Sequence, residues 1–184
     1  DLESDRVLAM LKALMDVAEA ESGALKLDRR PVELTAMLEE VAEAYEFVAE
    51  EKNVTIKRDF GEERYDVSVD VVRMRQALAN LVDNAVKYSF EGSPVELTIE
   101  RVKGAVEISI ANRGPTISEE GRGRIFERLY RGDKSRSERG LGLGLSLVKA
   151  VVEAHGGSVA IRSQPSDDRA VFVVALPDDR AGSD

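Results

Sequence analysis

The chain has 184 residues, of which 43% are hydrophobic and 33% are charged, a composition typical of one folded domain with a short attachment. It contains no cysteine and a single histidine, which excludes disulfide scaffolds, thiolate nucleophiles, cysteine zinc sites and most histidine-based metal or triad chemistry. The net charge of -9 argues against non-specific nucleic-acid binding, and no apolar run approaches the roughly 20 residues that a membrane span requires.

The N-terminal segment predicts an amphipathic helix over residues 5 to 21. Its apolar side chains recur at 3-4-3 spacing and form one stripe, which consists of Leu8, Leu11, Met15 and Ala18. Three further apolar residues widen this stripe on one side: Val7, Leu14 and Val17. Gly23 and the segment before Pro31 end this helix. The apolar face is too broad for a solitary helix, so we expect another helix to cover it. Because the sequence begins at Asp1 without a leader pattern, we interpret it as a piece of a longer protein.

Two further helices and two strands are predicted before residue 90. A helix from about Glu33 to Lys52 precedes a strand in the segment VTIKRDF, and a strand at 65–69 leads into Asp70, a typical N-cap, and a helix that runs to about Tyr88. The apolar positions that we expect to be buried are Leu34, Met37, Leu38, Val41, Tyr45 and Val48 in the first helix and Met74, Leu78, Leu81 and Ala85 in the second.

The second half of the chain mixes strands with one clear helix. Residues 95–99 and 106–110 alternate apolar and polar side chains across a turn at Lys103 and Gly104, which predicts a β-hairpin. A helix over 143–154 ends at Gly156 and Gly157, and strands follow at 158–163 and 170–176. Because strands and helices do not alternate strictly, the order predicts an α+β fold, a two-layer α/β sandwich. Residues 179–184 are expected to form a disordered tail.

Residues 113–140 show no periodicity beyond a short turn at RIFERLY, which predicts a long functional loop. The segment also concentrates positive charge within an acidic protein. The residues of this cationic patch are Arg122, Arg124, Arg128, Arg131, Lys134, Arg136 and Arg139.

Glycines at every second position, Gly140, Gly142 and Gly144, lead directly into an apolar helix. The pattern is neither a dinucleotide fingerprint, because Leu145 stands where a glycine is needed, nor a P-loop. Glycines at a helix N-terminus expose backbone N–H groups at the positive end of the helix dipole, so a polyphosphate is a suitable ligand. A tight loop-to-helix corner without a ligand is the alternative interpretation.

Asn80, Asn84 and Lys87 recur at i, i+4 and i+7 and therefore share one stripe of a helix. An amide oxygen is a suitable Mg²⁺ ligand, and a lysine beside it can neutralise phosphate charge, although a solvated polar face would have the same sequence pattern.

Asn112 follows the alternation of the second hairpin strand and is therefore expected to point to the same inward face as the apolar residues of that strand. A polar side chain there needs a hydrogen-bond partner. A ligand ring, a buried water or a turn N–H would serve, and Gly114 would let the backbone come close to a ligand.

Taken in order, NLVDNAVKY, NRGPTI, RIFERLY and GLGLGL resemble the N, G1, F and G2 boxes of the sensor histidine kinase ATP-binding domain, a branch of the gyrase and Hsp90 ATPase superfamily. The resemblance implies a Bergerat-type sandwich with ATP between sheet and helices, under a lid at about residues 115–139. It also implies that residues 1–27 form the second helix of a dimerisation hairpin, 28–32 a linker, and 33–178 the catalytic domain.

The same resemblance implies the site residues. Asn84 would bind Mg²⁺ with Asn80 as a second contact, and Lys87 and Arg131 would act on the ATP phosphates. The other residues that it assigns to the nucleotide are Tyr88, Asn112, Gly114, Ile117, Gly140, Leu141, Gly142, Leu143 and Gly144.

Three positions depart from the family pattern. Asn112 replaces the aspartate that accepts from the adenine amino group, and its amide oxygen can still accept but carries no charge. Thr116 replaces the second glycine of the G1 box, which we expect to stiffen the hinge of the lid. Arg169 and Ala170 stand before Phe172 in place of a small residue and a threonine, so a hydroxyl near the adenine is missing.

The resemblance implies transfer of the ATP γ-phosphoryl group to a histidine on a helix, yet His155 is the only histidine here and is expected to end a helix, with Gly156 as the C-cap. We therefore expect the chain to bind Mg-ATP without labelling itself, to form a homodimer, and to act in the cytoplasm with a separate acceptor helix and a response regulator. Membrane anchoring of the longer protein stays open. The alternatives are a degenerate nucleotide-sensing or scaffold module and an anti-sigma-factor type serine kinase, which would leave residues 1–27 unexplained.

Overall fold

The computed structural model describes residues 25–127, 130, 143–162 and 168–179, together with 11–12, 14–15, 17–19 and 22–23. The strands are β1 (Arg29–Glu33), β2 (Thr55–Asp59), β3 (Asp66–Asp70), β4 (Pro94–Val102), β5 (Ala105–Arg113), β6 (Ser158–Arg162) and β7 (Arg169–Pro177). The helices are α1 (Leu34–Glu51), α2 (Val71–Tyr88), α3 (Glu119–Arg124) and α4 (Gly144–Ala154). Among the helices described, none is both long and apolar enough to cross a bilayer.

One layer is a five-stranded mixed sheet in the order β2-β4-β5-β7-β6, in which only the β2–β4 pair is parallel. Helices α1, α2 and α4 form the other layer, with α2 packed between α1 and α4. Strands β4 and β5 alternate buried and partly exposed residues, since one face covers the helices. The predicted two-layer α+β sandwich is confirmed.

The hairpin turn is the predicted one. Lys103 and Gly104 both have positive φ, at 44° and 84°, and Val102 pairs directly with Ala105. A two-residue turn with two positive φ angles has the twist that joins antiparallel strands tightly. This turn sets the register that points Ile108 and Ile110 into the core.

Helix α1 matches the predicted bounds within one residue at each end, but the prediction that Val48 is buried is wrong. Val48 is 46% exposed, whereas Ala42 and Ala49 are buried beside Leu38. Near the C-terminal end of the helix, the residue that faces the core is therefore Ala49 rather than Val48.

Asp70 is the N-cap of α2, as predicted. Its carboxylate accepts hydrogen bonds from the backbone N–H groups of Arg73 and Asp28, both at 3.1 Å. The residues before Asp70 form β3, which pairs antiparallel with β1. Strand β1 lies in the segment interpreted as a linker and was not predicted. The segment interpreted as a linker is therefore paired with β3, the strand that leads into α2.

The described residues between 11 and 19 are helical, as predicted. Val17 is buried in the common core, but Leu11 and Met15 are 52% and 62% exposed. Val17, on the flank of the predicted apolar face, therefore packs into the hydrophobic core of the domain. The stripe that contains Leu11 and Met15 faces outward.

The prediction that residues 113–140 contain no regular structure beyond the RIFERLY turn is wrong at α3. The Ser118 hydroxyl accepts from the N–H of Gly121 at 3.0 Å, and acidic residues in the first turn with arginines in the last complement the helix dipole. Six residues with two glycines are too short to show a period. After α3, the Phe126 ring meets the Phe172 ring of β7 edge to face at 6.2 Å. Residues 131–142 lie outside the described part.

Candidate functional site

The predicted site residues come from three elements that meet at one end of the sandwich. Helix α2 carries Asn80, Asn84, Lys87 and Tyr88, the end of β5 and the loop after it carry Asn112, Gly114 and Ile117, and the start of α4 carries Leu143 and Gly144. Arg131, Gly140, Leu141 and Gly142, also predicted for the site, lie outside the described residues.

Helix α2 presents polar side chains at the rim of a fully buried face. Met74, Leu78 and Leu81 are buried against the sheet, as predicted, while Asn80 and Asn84 are half-buried. Within the described structure neither amide is hydrogen-bonded to another residue. Successive turns of a helix are about 5.4 Å apart, so the two amides follow each other along one side of α2. Both amides are available to a ligand.

Helix α4 begins without a side-chain cap. The N-cap residue is Leu143, a buried leucine whose carbonyl accepts from the N–H of Leu147 at 3.0 Å and from the hydroxyl of Ser146 at 2.9 Å. The first N–H groups of a helix have no acceptor within the helix. At this end they coincide with the positive pole of the helix dipole, which suits an anion.

Gly144 opens α4 beside Asn80. A Cβ placed on Gly144 would lie 3.7 Å from the Asn80 Cγ, an ordinary van der Waals distance, and its backbone φ is not positive. Neither the backbone nor the described neighbours therefore require glycine at 144, although glycine in a helix costs roughly 0.5–1 kcal/mol relative to alanine. The same contact joins the amide stripe of α2 to the N-terminus of α4.

Gly114 has a different role, because here the protein itself requires glycine. A Cβ at Gly114 would lie 2.0 Å from the carbonyl oxygen of Tyr88, far inside van der Waals contact. The loop is held in this position by two backbone hydrogen bonds of 2.7 Å, from the N–H of Phe90 to Arg113 and from the N–H of Gly114 to Asp168. The close approach expected at Gly114 is thus an approach to the end of α2.

Asn112 points into the interface between the layers, as its parity predicts. It is 4% exposed and shares its strand face with Val106, Ile108 and Ile110, which are all buried. Across the β5–β7 ladder it pairs with Ala170, which offers no polar side chain. Within the described structure the Asn112 amide has no hydrogen-bond partner. Because the amide atoms are not fully enclosed, water or a ligand can reach and satisfy them.

The last turn of α2 is held by a residue that sequence reasoning missed. The Lys52 ammonium donates to the carbonyl of Val86 at 3.1 Å and also to the carbonyl of Lys87. A cation at these carbonyls satisfies the C-terminal end of the helix and its dipole. The Lys87 ammonium lies 5.0 Å from the centre of the Tyr88 ring. No local sequence signal identifies Lys52, because its contacts form only when α1 and α2 pack.

Ile117 lies at the beginning of the predicted lid. It is half-buried, and its Cγ2 would lie 3.3 Å from a Cβ placed on Gly121, so it packs on α3. Thr116 beside it is exposed.

His155 has a structural role at the other end of α4, as predicted. It is 2% exposed, its Nδ1 donates to the Val151 carbonyl at 2.7 Å, and its Nε2 accepts from the N–H of Asp70 at 2.9 Å. Burial lowers the pKa of His155, which favours the neutral ring that this arrangement needs. Gly156 follows with a φ of 78°, as a C-capping residue does. His155 therefore links the end of α4 to the start of α2.

Comparison with known proteins gives one family. Residues 69–180 match the family described as Histidine kinase-, DNA gyrase B-, and HSP90-like ATPase. The sensor histidine kinase CusS of Escherichia coli (strain K12) is 32% identical over 177 residues, which are 95% of this chain and 36% of CusS. The sensor-like histidine kinase SenX3 of Mycolicibacterium smegmatis is 32% identical over 178 residues, or 96% of this chain and 46% of SenX3.

Solved structures agree with this result. The crystal structure of full-length ShkA in complex with AMPPNP superposes with a TM-score of 0.83 and 30% sequence identity, covering 96% of this chain and 36% of ShkA. The chain therefore spans between about a third and a half of the length of CusS, SenX3 and ShkA.

Proposed function

The chain belongs to the family of histidine kinase-, DNA gyrase B- and HSP90-like ATPases, and from this premise we propose that it is the ATP-binding catalytic domain of a two-component sensor histidine kinase. Its activity would be the transfer of the γ-phosphoryl group of ATP to a histidine of another helix. One observation supports this most strongly: the Asn80 amide, which has no partner among the described residues, lies against Gly144 at the N-terminus of α4, where no described side chain caps the helix.

The phosphates fit the space at the start of α4. Among the described residues nothing comes closer than 3.7 Å to a Cβ placed on Gly144, so a glycine here would let a phosphate oxygen approach the first N–H groups of the helix, where the dipole favours negative charge. The glycines at 140 and 142 would continue this cradle, and Lys87 and Arg131 would add positive charge. A phosphate at this position would account for the glycine at 144, which nothing in the described structure requires.

Magnesium fits the same place through the amides of α2. Among the residues described, no group of three acidic or histidine side chains could hold a metal by itself. Mg²⁺ commonly takes only one or two protein ligands and completes its octahedron with phosphate oxygens and water. The Asn84 amide oxygen would be such a ligand, with Asn80 as a second contact. Bound Mg²⁺ would neutralise phosphate charge during transfer.

The acceptor must come from another helix. His155, the only histidine of the chain, is buried and both of its ring nitrogens are hydrogen-bonded. An acceptor imidazole elsewhere would attack the γ-phosphorus of ATP, and ADP would leave. This chain's residues would contribute by positioning the triphosphate and by balancing its charge.

The exposed stripe of the N-terminal helix supports a dimer. Leu11 and Met15 face outward although Val17 of the same helix is buried. A four-helix bundle with two helices from each subunit would cover such a stripe. The acceptor histidine would lie on the other of the two helices that each subunit contributes to this bundle. A response regulator would be the next phosphoryl acceptor, and the site of action would be the cytoplasm.

Transfer to a separate acceptor tests this function. The chain is incubated with Mg²⁺ and γ-labelled ATP, together with a separate helical hairpin that carries an exposed histidine. We expect acid-labile phosphate on the hairpin and none on this chain, and no transfer by the Asn84→Ala variant. Thr98→Ala, on the sheet face away from the helices, is the matched control and should transfer normally. Acid-labile phosphate on this chain, or acid-stable phosphate on a serine of an added protein, would contradict the proposal.

A further inference from the structure

The Asn112 side chain is almost fully buried, and its amide has no hydrogen-bond partner among the described residues. It is 4% exposed, and no side chain or backbone group of the described structure is hydrogen-bonded to it. The backbone groups beside it are occupied, since the carbonyl of Arg113 accepts from Phe90 and the N–H of Gly114 donates to Asp168. Ala170, its partner across the ladder, has only a methyl group. No described residue therefore decides which end of the amide faces the interface.

A carboxamide offers one acceptor and one donor group, and a half-turn about its last bond exchanges them. The edge of adenine presents a 6-amino donor beside the N1 acceptor. The edge of a 6-oxo purine, guanine or hypoxanthine, presents the reverse, a carbonyl acceptor beside an N1–H donor. An amide that is free to turn can match either edge with two hydrogen bonds. A carboxylate accepts only, and would face a 6-oxo group with negative charge.

We propose that Asn112 makes the base site of this domain accept both 6-amino and 6-oxo purine nucleoside triphosphates. The inference rests on the proposed function, because it assumes that a nucleotide occupies the site. Sites that discriminate strongly between such groups leave a fixed buried donor or acceptor unpaired with the wrong ligand. At Asn112 no described neighbour fixes the amide, so the amide can turn to pair with either edge instead of leaving a group unpaired.

Inosine triphosphate is the appropriate probe. It shares the ribose and triphosphate of ATP and differs in the base only at C6 and at the proton on N1, without the extra amino group of guanine. Calorimetric titration of the whole chain with Mg-ATP and with Mg-ITP should give dissociation constants within about tenfold of each other, the equivalent of one net hydrogen bond. GTP provides a second, bulkier comparison.

Asn112→Asp is the diagnostic variant, because it keeps the shape of the side chain and removes the donor. We expect it to raise the ratio of the ITP to the ATP dissociation constant by at least about tenfold. Asn53→Asp places the same charge in an exposed turn at the same end of the sheet and should leave the ratio unchanged. Thermal unfolding of each variant reports whether it is folded.

Two results would overturn the proposal. One is a wild-type chain that binds ATP more than a hundredfold tighter than ITP, a comparison that holds even if Asn112→Asp does not fold. The other is a folded Asn112→Asp variant with an unchanged ITP to ATP ratio. If the wild type binds neither nucleotide, the proposed function itself fails. If it binds ATP but not ITP, only the proposal that the site accepts both kinds of purine fails.

Discussion

Gly114→Ala should destabilise the fold strongly, because the new methyl group would collide with backbone rather than with a movable side chain. The Cβ would lie 2.0 Å from the carbonyl oxygen of Tyr88, so the loop or the end of α2 must move by about 1 Å or more to reach 3.0 Å. Overpacking of this kind typically costs about 1–3 kcal/mol. The movement also strains the hydrogen bonds from Phe90 to Arg113 and from Gly114 to Asp168, each worth about 1 kcal/mol. The expected loss is therefore roughly 2–5 kcal/mol.

Urea unfolding followed by circular dichroism measures this loss. Gly144→Ala is the matched control, since among the described residues its Cβ would meet nothing closer than 3.7 Å. That variant should equal the wild type or gain up to about 1 kcal/mol from the better helix former. A free energy of unfolding for Gly114→Ala within about 0.5 kcal/mol of the wild type would refute the packing argument.

Four further outcomes are expected. Gly144→Ala should weaken Mg-ATP binding in calorimetry while its urea midpoint stays the same. An unchanged affinity would contradict the proposal that the ATP phosphates bind at the start of α4. Burial lowers the pKa of His155 below its usual 6.5, so the unfolded chain binds a proton first as the pH falls. The free energy of unfolding should then decrease below about pH 6.5, by at most about 1.4 kcal/mol per pH unit, down to the folded pKa. A His155→Gln variant with the same slope between pH 6.5 and 5.5 would contradict this. Asp70→Ala removes the N-cap of α2 and should lower the free energy of unfolding, measured in urea, by about 0.5–2 kcal/mol. An unchanged free energy of unfolding would show that the cap does not stabilise the helix. The double variant Leu11→Glu with Met15→Glu should shift sedimentation from dimer to monomer without changing Mg-ATP affinity; an unchanged dimer would place the interface elsewhere.

The elements with strong local signals were predictable from the sequence. The hairpin follows from alternation on both sides of Lys103 and Gly104, and the start of α2 follows from the capping chemistry of Asp70. Strand β1 was not predictable, because a charged residue such as Arg29 and a proline such as Pro31 are typical of linkers. Both are also tolerated in an edge strand, so the sequence does not distinguish the two. Helix α3 is too short for a period, and its cap at Ser118 is visible only once the helix is known.

The site depends more on tertiary contacts than the fold does. Spacing alone placed Asn80 and Asn84 on one face of α2, but only the packing of α2 against α4 brings Asn80 to Gly144. The sequence could not distinguish a glycine required by the protein, at 114, from one that is not, at 144. Lys52 was invisible for the same reason, because its ammonium binds carbonyls 34 and 35 residues away.

The most direct test of the account is calorimetric titration of the chain with ATP, with and without Mg²⁺, for the wild type and for Asn84→Ala. The account predicts saturable heat and a rise in the melting temperature with Mg-ATP, and a marked loss of the metal-dependent affinity in Asn84→Ala but not in Thr98→Ala. A wild-type chain that is folded, yet shows neither heat nor thermal stabilisation at saturating nucleotide and metal, would contradict it.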